Sequence, residues 1–147
     1  MSNVCIRIAT KDDCDSILRL ENQYGIDVYS ESGILSMFDY DYYYVYVLEL
    51  DNKVIGYISA TIIIDECNLI KIIIDDGYRK YGYGKMLLDY LINKCKEKRI
   101  DKIYLEVRED NNIAKSFYQK NGFKKESVRT GYYDGVDAEI FWYYIND

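Results

Sequence analysis

The chain has 147 residues, a formal net charge of −6 at pH 7, 49% hydrophobic and 30% charged residues, the make-up of one soluble globular domain over 1–147. This acidic balance argues against a nucleic-acid partner, which would need Lys and Arg to neutralise phosphates, and it suits a basic one. No apolar run reaches the ~18 residues of a membrane span, and Met1–Arg7 has no signal-peptide pattern, so a cytoplasmic protein with no membrane partner is expected.

Val4 to Ala9 alternates as a short strand, and Thr10 with Asp13 resembles a capping box opening a helix that carries Ile17, Leu18 and Leu20. Ser30-Glu31 is a candidate cap for a second short helix through Ile34, Leu35 and Phe38, after a loop whose aromatics line a pocket or simply face solvent. Tyr42 to Leu50 and Val54 to Ile64 are rich in aromatic and β-branched residues on either side of Asp51-Asn52-Lys53, which predicts an antiparallel hairpin. Asp65-Glu66 turns into a strand ending at Ile74.

Met86 to Lys98 is an amphipathic helix with Leu87, Leu88, Leu91, Ile92 and Cys95 on one face. Ile103 to Arg108 is the next strand. Asn111 or Asn112 caps a helix running to Asn121, which Gly122 stops. Phe123 to Arg129 and Ala138 to Tyr144 close the chain as two strands around a Gly131–Asp137 connection. The order β-α-(α)-β-β-β-α-β-α-β-β predicts an α/β fold, a mixed sheet flanked by helices, with a parallel βαβ unit at its centre.

The centre of that unit, Ile72 to Gly84, reads as a buried strand, a glycine-punctuated turn and a helix start. Such a place binds anions, through orphan N–H groups, the positive end of the helix dipole and glycines without a Cβ. It is not a P-loop, because Tyr83 stands where Gly77 and Gly82 would require a lysine. It is not a dinucleotide fingerprint either, because Leu87 occupies the third glycine position.

The chain has no histidine, so proton transfer falls to Glu, Asp, Lys, Tyr or water. Cys5, Cys14, Cys67 and Cys95 form no Cys-x-x-Cys pair and read as small buried residues, with no metal site expected. Strand alternation turns Glu106 to the face of Tyr104 and Arg108, at the carboxyl end of a parallel strand where open α/β sheets bind ligands. As a carboxylate there it is either a base for an attacking amine or a structural partner of Arg108. Tyr118 is either a proton donor or an aromatic packed against Ala114.

Arg79-x-x-Gly82-x-Gly84 resembles the pyrophosphate loop of the acetyl-CoA-dependent GNAT N-acetyltransferases. Glu106-Val107-Arg108-x-x-Asn111-x-x-Ala114-x-x-x-Tyr118-x-x-x-Gly122-Phe123 is similar to the RimI-type ribosomal-protein-alanine subfamily, as are Asp65-Glu66, Tyr132-Tyr133 and Asp137-Ala138, so that the likeness runs from Asp65 to Trp142. The resemblance implies a GNAT fold, acetyl-CoA as donor, and direct transfer to the N-terminal amine of a protein, with a basic ribosomal protein as the implied partner.

By position it makes Glu106 the general base and Tyr118 the general acid. It assigns acetyl-CoA contacts to Ile72, Ile73 and Ile74, to Arg79, Lys80, Tyr81, Gly82, Tyr83, Gly84 and Lys85, and to Asn111. Val28-Tyr29-Ser30-Glu31 stands where the subfamily often has a Pro-Trp-Ser element, and Asp76 or Gly77 where a proline usually precedes the glycine loop. Two other readings remain open from the sequence: a GNAT enzyme for a small amine such as a polyamine, amino acid or antibiotic, and a non-catalytic CoA-binding module.

Overall fold

The computed structural model describes residues 3–145. The strands are β1 (Val4–Ile8), β2 (Tyr43–Leu50), β3 (Lys53–Ile63), β4 (Glu66–Ile74), β5 (Lys102–Arg108), β6 (Lys124–Tyr133) and β7 (Val136–Tyr144), and the helices are α1 (Cys14–Tyr24), α2 (Glu31–Met37), α3 (Tyr83–Glu97) and α4 (Asn112–Lys120). They form one seven-stranded sheet in the order β1-β2-β3-β4-β5-β7-β6. Neighbours are antiparallel except β4 and β5, which are parallel as the central βαβ unit requires. The element order is the one expected from the sequence.

Local signals account for the boundaries. Asp51 and Asn52, with φ of 51° and 69°, make the β2–β3 turn, the left-handed geometry that Asp and Asn tolerate and that matches strand twist. The Thr10 N–H donates to the Asp13 carboxylate at 2.9 Å, although the expected capping box opens a 3-10 turn over Lys11–Asp13 before α1 begins. The Gly33 N–H donates to Ser30 Oγ at 3.1 Å and starts α2, and Gly122, at φ 94°, follows the end of α4.

Two expectations change. The Gly131–Asp137 connection is mostly strand: β6 runs to Tyr133, and Asp134 and Gly135, at φ 46° and 93°, form the tight turn. Cys5 is exposed, whereas Cys14, Cys67 and Cys95 are buried; β1 is an edge strand, so one more neighbour is missing there.

Helices pack on both faces. All five predicted apolar residues of α3 are buried, in a core with Ile58, Leu69, Leu105 and Phe141. On the other face Ile17, Leu20 and Ile34 of α1 and α2 meet Val45, Val47, Tyr57 and Ile73, so the strand residues of this second core come from β2, β3 and β4.

The feature that positions the site lies between β4 and β5. They pair only at Cys67 with Ile103 and Asn68 with Tyr104, although β4 continues to Ile74 and β5 to Arg108. Opposite β3, Ala60 pairs with Leu69 and Ser59 with Lys71, leaving Ile70 as an extra residue. Such a bulge bends a strand and sharpens its twist, and past it β4 and β5 no longer pair, which leaves a crevice between them.

Candidate active site

Ile72, Ile73 and Ile74 pair on one side with Ile58, Tyr57 and Gly56. Toward β5 the same segment has no strand partner, so its backbone edge faces the crevice ready for a ligand with amide groups of its own. The Ile73 side chain joins the core under α1, while Ile72 and Ile74 pack on the core under α3, which fixes the strand from both faces.

The chain then turns at Asp75. Burial alone would raise the pKa of this carboxyl, but hydrogen bonds from Arg19 and from the Gly77 N–H outweigh it and hold the group below the usual range. Arg79 pairs with Asp76 at 2.8 Å and donates to the Ile74 carbonyl at 3.3 Å. Lys80 has φ 70° and Tyr81 is exposed. Lys85 pairs with Asp89 at 2.7 Å.

Gly82, at φ 83°, is the N-cap of α3 and supplies no side-chain cap, so the amides of the first turn remain available. The two glycines have different physical reasons. A Cβ at Gly82 would meet nothing within 4 Å, whereas one at Gly84 would lie 3.3 Å from the Phe117 ring. Gly82 borders open space next to the loop, and Gly84 lets α3 close on α4.

Glu106 projects from β5 away from Ile103, Leu105 and Val107, which are buried in the α3 core. Its cationic partner is Arg129 of β6, at 3.1 Å, while Arg108 pairs with Asp110 at 3.1 Å. The sheet order explains this: β7 lies between β5 and β6, with Arg129 opposite Ala138 and Ala138 opposite Arg108, so Arg129 overhangs the end of β5.

Tyr118 sits on the other face, on α4, with its ring 5.3 Å from Phe117 and 5.4 Å from Phe123. Burial, with the nearby Tyr24 hydroxyl adding to it, raises its pKa well above that of an ordinary tyrosine. It is therefore a protonated phenol at neutral pH, able to donate. Glu106 and Tyr118 thus flank the crevice from opposite faces of the sheet.

Asn111 is committed at both ends of its amide. Its Oδ1 caps α4 by accepting from the Ala114 N–H at 3.2 Å, and its Nδ2 donates to the Tyr24 hydroxyl at 2.8 Å. That bond ties the end of α1 to the start of α4 across the crevice. Sequence pattern alone does not single out Tyr24, Arg129, or the pair of buried Glu21 and partly buried Lys71, whose carboxylate and ammonium meet at 2.9 Å.

Residues 9–123 match the acetyltransferase (GNAT) family. Over 133 residues the chain is 28% identical to the ribosomal protein bS18-alanine N-acetyltransferase of Haemophilus ducreyi, covering 90% of this chain and 91% of that protein. It is 40% identical over 83 residues, 56% of each chain, to the enzyme of that name from Haemophilus influenzae. Among solved structures, the ribosomal-protein-S18-alanine N-acetyltransferase of Escherichia coli matches with a TM-score of 0.89 and 26% identity, over 99% of this chain and 96% of that one. GNAT acetyltransferases draw on acetyl-CoA. The split β4–β5 pair, the helix start at Gly82 and the match over most of its length agree: the chain belongs to the GNAT family of N-acetyltransferases.

Proposed function

We propose that this N-acetyltransferase acts on the N-terminal α-amine of a protein, with a basic tail of the ribosomal-protein kind as acceptor. The observation that carries the reading is the opening of β4 from β5 past Asn68 and Tyr104, with Glu106 on one face and Tyr118 on the other. Donor and acceptor can then approach from opposite sides and meet in the crevice.

The residues present fit acetyl-CoA. The free edge of Ile72–Ile74 suits the amides of its pantetheine arm, and the uncapped first turn of α3 beside Gly82, with Arg79, Lys80, Tyr81, Tyr83 and Lys85 around it, suits its pyrophosphate. Asn111 borders the same crevice through its bond to Tyr24. When bound, acetyl-CoA supplies an acetyl group activated as a thioester.

Glu106 takes a proton from the acceptor's ammonium, directly or through water, freeing the lone pair for attack; the second proton that the nitrogen sheds after attack leaves to solvent. Tyr118, a phenol protonated at neutral pH, gives its hydroxyl proton to the departing sulfur as the C–S bond breaks and regains one from solvent. No residue of the chain forms a covalent bond to the acetyl group.

Acceptor chemistry favours an α-amine. An α-amine in water titrates near ~8 against ~10.4 for lysine, so exposing the neutral amine at pH 7 costs about 1.4 rather than about 4.6 kcal/mol. A single carboxylate, in a protein without histidine, meets the smaller demand. The protein's net charge of −6 suits a basic acceptor. The test is to incubate the enzyme with acetyl-CoA and, separately, an alanine-initiated basic peptide, its N-terminally blocked form, spermidine and an aminoglycoside, and to follow acetylation by mass spectrometry. Preferential modification of the free α-amine is expected; preference for the blocked peptide or a small amine overturns the acceptor assignment.

A further inference from the structure

Between α1 and α2 the chain crosses residues 25–30 without regular structure, on the face of the sheet to which Glu106 points. One partly buried cation fastens this stretch. Lys71 Nζ donates to Glu21 Oε1 and to the Asp27 carbonyl, both at 2.9 Å, and lies 4.4 Å from the centre of the Tyr29 ring. Glu21, fully buried, also accepts from the Tyr29 N–H at 2.9 Å and from the Tyr57 hydroxyl. Asp27 has φ 48°, a left-handed conformation that aspartate tolerates and that turns the chain here.

Register places this cation at the acceptor side. Asn68 pairs with Thr61 and Lys71 with Ser59, so both point to the face of Tyr57, and Asn68 pairs with Tyr104, two residues before Glu106 on the same face of β5. The far wall is close. On β6, Arg129 pairs with Glu106 at 3.1 Å, and the Tyr133 ring lies 5.5 Å from Arg108, which alternates to the same face of β5 as Glu106.

We propose that Lys71 is a positioning residue for the acceptor: by binding Glu21, the Asp27 carbonyl and the Tyr29 ring, it sets residues 25–30 as the wall against which the acceptor's first residues lie. The proposal rests on the reading of Glu106 as the base that meets the acceptor amine. Lys71 touches neither reacting group. Its effect travels through the loop, so it belongs to acceptor binding and not to the donor.

Lys71→Met is expected to raise the KM for the acceptor peptide by about tenfold, with kcat and the Kd for acetyl-CoA within about twofold of wild type. Lys71→Arg should recover part of the loss. Because the single change leaves Glu21 buried without its cation, the double variant Glu21→Gln/Lys71→Met is needed. It should regain thermal stability while keeping the raised KM. Hydrogen exchange supplies a readout that does not need the acceptor: amides of 25–30 should exchange faster in both variants.

Unchanged exchange in 25–30, or a wild-type KM in the double variant, overturns the role of Lys71. So does a parallel loss of acetyl-CoA affinity in the single variant, which would mark a general collapse. If the wild type acetylates no peptide, the acceptor reading fails, while unaltered or accelerated exchange still decides whether Lys71 orders the wall.

Discussion

The surroundings of Tyr118 bear on the role of acid proposed for it. A phenol packed between Phe117 and Phe123 gives up its proton less readily than one in water, so its proton passes to sulfur only as the C–S bond breaks. Tyr118→Phe keeps the ring and its contacts, so the fold and the Kd for acetyl-CoA by calorimetry should be unchanged while kcat falls by about 10²-fold or more. Turnover within twofold of wild type would remove Tyr118 from the mechanism.

Glu106→Gln should lower turnover likewise, and by less if water relays the proton. Because Arg129 is more than half exposed, the lost ion pair should change unfolding free energy by no more than about 1 kcal/mol, which separates chemistry from stability. A residue far from the crevice gives the contrasting case. Asp13 receives both Arg7 nitrogens at 2.8 Å, and these bonds outweigh burial and lower its pKa. A carboxyl whose pKa is lower folded than unfolded stabilises the fold above the unfolded value of ~3.9 and loses that contribution as pH falls. Asp13→Asn should therefore cost about 2 kcal/mol at pH 7, and the gap to wild type should narrow steadily in denaturation curves taken below about pH 3.9.

At the scale of elements, the start of α3 separates two glycines that look alike in sequence. Ala at Gly82 meets no protein atom; it carries only about 1–2 kcal/mol of left-handed strain, and any loss of acetyl-CoA affinity beyond that reports on the ligand. Ala at Gly84 crowds Phe117, so its main effect should be on melting temperature. Calorimetry and thermal denaturation of the two variants check this, and equal affinity for acetyl-CoA in wild type and a folded Gly82→Ala would argue against pyrophosphate binding there.

The elements were legible where periodicity or a cap announced them, as in the apolar face of α3, the Ser30 cap and the Asp51-Asn52 turn. The β6–β7 turn was not: Gly131 reads as a break, although Asp134-Gly135 is the stronger hairpin signal. Glu106 was legible as a crevice carboxylate, but the partner that alternation offered it, if it had one, was Arg108. Only the insertion of β7 between β5 and β6 brings Arg129 to it. The Glu21–Lys71 pair joins positions that no local pattern connects, since burial on different elements decides it.

For the whole molecule, the sheet is continuous at one end of β4–β5 and open at the other, and cores on both faces hold it so. The bulge at Ile70 makes the opening a property of the backbone, so it should persist in variants of Glu106 or Tyr118, the two residues proposed to be catalytic. Central to the account is that this opening receives acetyl-CoA. Hydrogen exchange on the wild-type protein with and without acetyl-CoA tests that most directly. Protection should concentrate in residues 69–74 and in the first turn of α3, with β1 and β2 unchanged; protection absent from both segments, or centred elsewhere, would contradict it.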